Sequence, residues 1–253
     1  MVCDKLAVIV PVYNCPELLE ECHTGLLTTN YPIEIIYVDN NSSDIRTLNL
    51  LDDFQRHGAK VVHNLSNLGF SCAVNIGARQ TDAEFLALYN QDCVTPRENW
   101  AKKVVEMFRS NENCAVQGAK LIYPGTNKIQ HAGIVFPKGT SGRHIYDGLD
   151  ADHPNVCVSR QYEAVTGAVM AIRNSVFTAL SGFDEGYVLN CEDTDFCFRV
   201  KRDFGMEIWY NCEVVVYHYD HGVKKNTSGV EEKIRLSTNR FYDMWGDHIR
   251  SIG

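Results

Sequence analysis

Residues 6–44 read LAVIVPVYNCPELLEECHTGLLTTNYPIEIIYVDNNSSD. Leu6–Val12 is a continuous apolar run, which suits a strand covered on both faces in a parallel sheet. Pro16–Leu27 has proline near its start and acidic side chains in its first turns, so it reads as a helix. Ile33–Val38 is a second apolar strand, and Asp44–Arg56 a second helix stopped by Gly58. The alternation continues through a strand at Lys60–His63, a helix at Ser71–Gln80 and a strand at Glu84–Tyr89. Such a βαβαβαβ march with short connections predicts an α/β fold with a Rossmann-like, mostly parallel central sheet flanked by helices.

Beyond position 92 the rhythm changes. Glu98–Arg109 reads as an amphipathic helix, followed by strands around Ala115–Leu121 and Ile129–Phe136 and an exposed loop over Lys138–Asn155. A strand is expected at Ala164–Ile172 with Gly167 inside it, then a short helix at Asn174–Leu180 and another at Asp193–Phe204. A strand at Val214–Tyr219 and a C-terminal helix at Glu231–Trp245 complete the reading. Repeats, low-complexity tracts and linkers are absent, so one domain of two halves is expected.

Composition narrows the function classes. The 253 residues are 45% hydrophobic and 22% charged, with a formal net charge of −8. A core of ordinary size is available, and the acidic balance gives no global attraction to nucleic acid or anionic lipid. No apolar stretch approaches the ~20 residues of a membrane span, and no signal peptide is evident, so a cytoplasmic chain is expected. Ten cysteines without a Cys-x-x-Cys pair then read as free thiols of a reducing compartment. Cys15, Cys93 and Cys191 fall beside expected ligand loops. Zinc at Cys191 and Cys197 would need a spacing that fits no common finger or ribbon.

In parallel α/β sheets ligands gather beyond the carboxyl ends of the strands. Those ends here carry Pro11-Val12-Tyr13-Asn14, then Asp39-Asn40-Asn41-Ser42-Ser43-Asp44, then Asn67-Leu68-Gly69-Phe70, and Asn90-Gln91-Asp92. Clustered amides and carboxylates could bind a base, ribose and diphosphate. Asp39 and Asp44 could equally turn the chain and cap a helix, and Asn67 and Gly69 could form only a turn. Asp92, at the end of a buried strand, needs a partner, which a divalent cation on phosphate would supply. The glycine-rich dinucleotide fingerprint is missing, which weakens a nicotinamide or flavin reading, and the absence of a P-loop removes the kinase and ATPase readings.

Taken in order, these segments resemble the nucleotide-binding half of family-2 glycosyltransferases of the GT-A fold, in their rhamnosyltransferase-like subgroup. The likeness extends through Thr166-Gly167-Ala168, Gly182-Phe183-Asp184-Glu185, Glu192-Asp193-Thr194-Asp195, Arg199 and His218, and so covers about residues 5–222. It implies a nucleotide-binding half at 1–95, a smaller metal, sugar and acceptor half at 96–222, and a C-terminal helix at 223–253.

The resemblance also implies roles. Asp39 contacts the donor's base, Pro11, Tyr13 and Asn14 line the base and ribose pocket, and Asn67 and Gly69 lie beside the nucleotide. Asn90-Gln91-Asp92 stands where the family has Asp-x-Asp, leaving Asp92 to hold Mn2+ or Mg2+ and Asn90 and Gln91 to meet ribose or sugar. Asp193 takes the acceptor hydroxyl's proton, with Glu192 beside it on the nucleotide-sugar. His218 completes the metal shell, with His221 close enough to compete and a structural histidine as the alternative. Gly167 lets the backbone approach the donor sugar, or forms a strand bulge, and His131 borders the acceptor cleft. The implied activity is metal-assisted, inverting transfer from a UDP- or dTDP-sugar.

The acceptor is open among a glycan, a lipid-linked sugar, a protein and a modified nucleic-acid base, and so is a homo-oligomer. Lys224, Lys225, Lys233 and Arg235, with Phe241, Tyr242 and Trp245, would give a peripheral membrane contact or simply a solvated helix with one apolar face. A sugar nucleotidyltransferase would need a basic phosphate loop where Tyr13-Asn14-Cys15-Pro16 stands. A non-catalytic nucleotide-sugar binder remains the other alternative, given the neutral Asn90.

Overall fold

The structure, a computed structural model, describes residues 5–138, 141–220 and 229–252. The first half runs β1 (Leu6–Val12), α1 (Pro16–Leu26), β2 (Ile33–Asp39), α2 (Ile45–Arg56), β3 (Lys60–His63), α3 (Gly69–Ala78) and β4 (Phe85–Tyr89). The second continues with β5 (Cys93–Val94), α4 (Trp100–Ser110), β6 (Cys114–Ile122), β7 (Ile129–His131), β8 (Ile134–Val135), β9 (Arg143–His144), β10 (Arg160–Gln161) and β11 (Val169–Arg173). It ends with α5 (Asn174–Ala179), α6 (Glu192–Phe204), β12 (Glu207–His218) and α7 (Val230–Ile252). No helix among the described residues is long and apolar enough to cross a membrane.

Ten strands form one sheet whose main path is β10-β12-β6-β11-β4-β1-β2-β3. The four strands from β3 to β4 are parallel, as expected. Antiparallel β11 then joins β4 to β6, and β12 runs parallel to β6. The apolar runs reflect double coverage. Ala7 and Ile9 face the core shared with α3, α5, α6 and α7, while Leu6, Val8, Val10 and Val12 face α1, α2 and α4. Side-chain alternation in a strand serves both layers, so β1 has no polar face to show.

Several boundaries differ from the sequence expectation. The strand expected at Val214–Tyr219 is twelve residues long and starts at Glu207. Its first half hides behind polar residues. Asn211 is buried and donates to Gln117 Oε1 at 2.8 Å, and the register with β6 shifts between Asn211 and Val215. The strand expected over Ala164–Ile172 begins only at Val169, so Gly167 precedes it and the strand-bulge reading does not hold. Ile129–Phe136 splits into β7 and β8. The expected loop at Lys138–Asn155 contains β9, an Asp150 bridge to Lys128, and buried Ala151. The C-terminal helix extends to Ile252, and Phe241, Trp245 and Ile249 pack into the core.

One buried ion pair ties the second half together. Asp195, with no exposed side-chain surface, accepts from Arg199 Nε at 2.7 Å. Its Oδ1 accepts from Trp245 Nε1 on α7 at 2.8 Å and Tyr187 Oη at 3.3 Å. Arg199 also donates to the carbonyls of Leu180 and Gly182. Gly182 has φ +76°, and a Cβ there would lie 2.2 Å from Asn75 Oδ1, which accepts from Phe183 N–H. Only glycine fits. Replacing Arg199 with Met leaves the Asp195 charge buried without its partner, which costs roughly 3–5 kcal/mol. Urea unfolding followed by circular dichroism checks this, and an unchanged midpoint would refute the assigned role.

Candidate active site

The loops after β1 and β2 are built on each other. Asn14, in the left-handed region at φ +53°, accepts on its Oδ1 from Ser43 N–H at 2.9 Å and Asp44 N–H at 3.0 Å. Asp44 caps α2 by accepting from Thr47 N–H, so the cap reading holds for that residue. Asp39 is buried. Its Oδ1 accepts from Ser42 N–H at 2.9 Å and its Oδ2 faces His63 Nδ1 at 2.9 Å. His63 was not singled out from the sequence. The register pairing Asp39 with His63 across β2 and β3 is what brings it there.

Asn40 links the neighbouring loops, donating to the Gly69 carbonyl and accepting from Asn64. Asn67 is exposed, and its Oδ1 accepts from Gly69 N–H at 3.0 Å. Tyr13 is half exposed beside this cluster, and Pro11 is half-buried on β1.

Asn90-Gln91-Asp92 joins this cluster to the second half. Gln91 accepts from Tyr13 N–H at 2.6 Å and donates to the Asn14 carbonyl at 2.9 Å, so its amide clamps the β1 loop at both ends. Asn90 N–H donates to the Ala168 carbonyl. Asp92 is buried, with Oδ1 3.4 Å from His218 Nε2. His218 Nδ1 donates to Gln130 Oε1 at 2.7 Å, which leaves Nε2 as the ring nitrogen facing Asp92. A carboxylate oxygen and an oriented imidazole nitrogen are donors of the kind a divalent cation takes, so the residues fit Mn2+ or Mg2+. Gln130 is the second residue that sequence reading missed. His221, Lys224 and Lys225 lie outside the described residues.

Cys191 stands just before α6, and its φ of +72° turns the chain sharply into the helix. Asp193 Oδ2 accepts from Gly167 N–H at 2.7 Å, and Oδ1 accepts from Thr194 N–H at 2.7 Å and Thr194 Oγ1 at 3.1 Å. Three donors fix the carboxylate and leave acceptor capacity for one more. A Cβ on Gly167 would stand 3.2 Å from Asp193 Cβ and 3.4 Å from the Phe70 ring, so this approach leaves little room for a side chain.

Asp193 and His218 line one cavity of about 540 Å³. Phe136, Phe241 and Tyr242 form its apolar wall, and Asp147, Asp220 and Tyr123 part of its polar wall. Tyr123 Oη donates to Asp147 Oδ1 at 3.0 Å. His131 stands behind this surface, fully buried, with Nε2 accepting from Thr166 N–H at 3.4 Å. Burial, reinforced by His144 and His218, holds its imidazole neutral. On α7, Phe241 and Trp245 are buried and Arg235 pairs with Glu232, as in a solvated helix with one apolar face.

Every cysteine among the described residues is a free thiol, as the sequence led one to expect. Cys197 is buried and donates to the Val165 carbonyl. Burial, with Asp193 and Glu192 adding to it, pushes the Cys191 thiol up to about 12.

Residues 7–165 match the model of the family described as Glycosyl transferase family 2. The chain belongs to that family. Membership sets aside the nucleotidyltransferase reading. Among relatives, the O-antigen biosynthesis protein RfbC of Myxococcus xanthus is 27% identical over 229 residues, covering 87% of this chain but only 18% of its own length. The O-antigen chain rhamnosyltransferase WbaN of Salmonella anatum is 25% identical over 216 residues, covering 85% of this chain and 66% of its own. The crystal structure of GalNAc-T7 with UDP, GalNAc and Mn2+ superimposes with a TM-score of 0.75 at 16% identity, over 97% of this chain and 50% of that one. The family-2 chain described here thus spans under a fifth of the first relative, and it has the GT-A fold.

Glu192 differs from its neighbour. The residue is half-buried, but its Oε2 is buried and has no hydrogen-bond partner among the described residues. Burial, then the Asp193 charge, pushes its carboxyl up to about 8. Between the ordinary carboxylate value and about 8, the folded chain keeps a proton that the unfolded chain has released. Stability therefore falls as pH rises through that window and levels off above it. Glu192→Gln, neutral at every pH, removes that slope. Its Tm is expected to exceed the wild type's at pH 8, by about 2–4 °C per kcal/mol recovered. The gap should close toward pH 4. A gap independent of pH in differential scanning fluorimetry would contradict the assignment.

Proposed function

We propose that the chain is a divalent-metal-assisted, inverting glycosyltransferase that moves a sugar from a nucleoside-diphosphate donor to an acceptor hydroxyl. The observation that carries this is the Asp193 carboxylate, fixed by Gly167 and Thr194 in the lining of a cavity that His218 also lines. The donor's base and ribose lie against Pro11, Tyr13, Asn14, Asp39, Asn67 and Gly69, and its sugar against Asn90, Gly167 and Glu192. UDP- or dTDP-linked donors follow from Asp39, whose position His63 and Ser42 hold at the end of β2.

An alcohol is a weak nucleophile, so a positioned base matters in the transition state. Asp193 takes the acceptor's hydroxyl proton as that oxygen bonds to the anomeric carbon. The anomeric C–O bond to the diphosphate breaks, its electron pair leaves with the nucleotide, and attack from the opposite face inverts the centre. Asp92 and His218 would hold Mn2+ or Mg2+, which when bound compensates the charge of the departing diphosphate. Gly167 N–H keeps Asp193 in place throughout. An aromatic wall beside carboxylates suits a neutral saccharide acceptor, whose ring stacks while its hydroxyls donate.

Asp193→Asn is expected to lower transfer by about 10²–10⁴-fold while leaving calorimetric binding of UDP with manganese intact. Screening UDP- and dTDP-sugars against saccharide acceptors by mass spectrometry provides the assay. Undiminished transfer in the variant removes the base. Tight UDP binding by the wild type with no turnover across the panel favours the non-catalytic binder instead.

A further inference from the structure

The chain has a donor beside its cation ligands that neither the Asp-x-Asp pattern nor the reading of Asp92 and His218 as ligands, on which this step rests, assigns. One donor atom each from Asp92, Cys93 and His218 lies within 4.8 Å of the others. The cluster is built into the sheet. β5 and β12 pair antiparallel with Cys93 directly opposite His218, and Tyr219 N–H donates to the Asp92 carbonyl. Directly opposed residues of an antiparallel pair project to the same face, so sulfur and imidazole are neighbours by register. Cys93 is 1% exposed, and its Sγ hydrogen-bonds only weakly, to the Ala168 carbonyl at 3.5 Å. The imidazole is oriented by Gln130.

Two positions before Asp92, the chain carries the neutral amide of Asn90. The oxygen donors of the site are therefore one carboxylate fewer, while a sulfur stands beside Asp92 and His218. One carboxylate, one imidazole and one thiolate form a borderline-soft set, the kind that favours zinc or cobalt over magnesium or manganese. Three protein ligands also leave a fourth position open for a ligand oxygen.

We propose that Cys93 is a third metal ligand and that it shifts the preference of this site toward Zn2+ and Co2+. On binding, the S–H bond breaks, its proton passes to solvent, and a sulfur lone pair forms the bond to the metal. No oxidation state changes. The hydrogen bond to the Ala168 carbonyl is given up in exchange.

The test uses the full chain, kept reduced and titrated with Co2+ alone. The wild type should develop a sulfur-to-cobalt charge-transfer band in the near ultraviolet. Cys93→Ser should lose that band and bind Co2+ at least about tenfold more weakly. Zinc-edge X-ray absorption of the wild type should show one sulfur at about 2.3 Å. Should the serine variant fail to fold, His218→Gln must abolish or weaken the band, tying the sulfur to this site rather than to another thiol. A saturated wild type with no sulfur band, or a band unchanged in Cys93→Ser or His218→Gln, overturns the proposal. Glycosyl transfer supported by Mg2+ or Mn2+ without any sulfur ligation would leave the glycosyltransferase reading intact and remove only this one. Sulfur ligation without transfer would do the reverse.

Discussion

Asp195 is the constraint on which the second half of the molecule depends. A carboxylate with no exposed surface survives only if its charge and its lone pairs are answered, and Arg199, Trp245 and Tyr187 answer them. Each partner belongs to a different part of the chain. Arg199 lies one turn along α6 and reaches back to the carbonyls of residues 180 and 182, Trp245 comes from α7, and Tyr187 from the loop that leads into α6. Two residues earlier on the same helix stands Asp193. The first turn of α6 cannot rotate without breaking the Asp195 network, so the direction of Asp193 is inherited from a buried pair that lines no part of the cavity.

The same division of labour recurs at the other end of the site. Gln91 spends both ends of its amide on the β1 loop, and its neighbour Asp92 faces His218. A shift in the loop after β4 would therefore move the β1 loop and the Asp92–His218 pair together. Both ends also depend on irregular backbone. Asn14 and Cys191 adopt left-handed conformations where the chain turns from strand or loop into helix. Non-glycine residues held there are uncommon and are tolerated where surrounding bonds over-determine them. Asn14 has such bonds in plain view, through Ser43, Asp44, Gln91 and Ser42.

What the sequence made legible, and what it concealed, follows from how far apart the interacting groups lie. Apolar runs such as Leu6–Val12 and Phe85–Tyr89 announce strands covered on both faces, and the polar residues just after them announce the ligand-facing end of the sheet. These are local signals. His63 beside Asp39, Gln130 behind His218 and Cys93 opposite His218 are products of strand register, which no local pattern encodes. The first half of β12 was concealed because Glu207 and Asn211 interrupt its apolar character. Their polarity is satisfied by Trp209 on the same strand and by Asn111 and Gln117, two partners distant in sequence that only the folded chain brings near. Gly167 was misplaced into a strand because its neighbours are small and apolar, although its backbone N–H is aimed at Asp193.

The lining of the cavity bears on why a cation belongs to the proposed reaction. Among the described residues that line it, none is Lys or Arg, while Asp147, Asp193 and Asp220 are acidic. An anionic diphosphate brought next to this surface meets repulsion that the −8 chain does nothing to relieve at long range. Helix N-termini contribute only partial charges. In the proposed reaction the compensating positive charge would be a cation held by Asp92 and His218. The carboxylates of the lining suit hydroxyls, which donate to them, and Phe136, Phe241 and Tyr242 suit sugar faces, which stack on rings. On that proposal charge sorts the two substrates: the diphosphate goes to the cation, and a neutral acceptor to the carboxylates and rings of the lining, Asp193 among them.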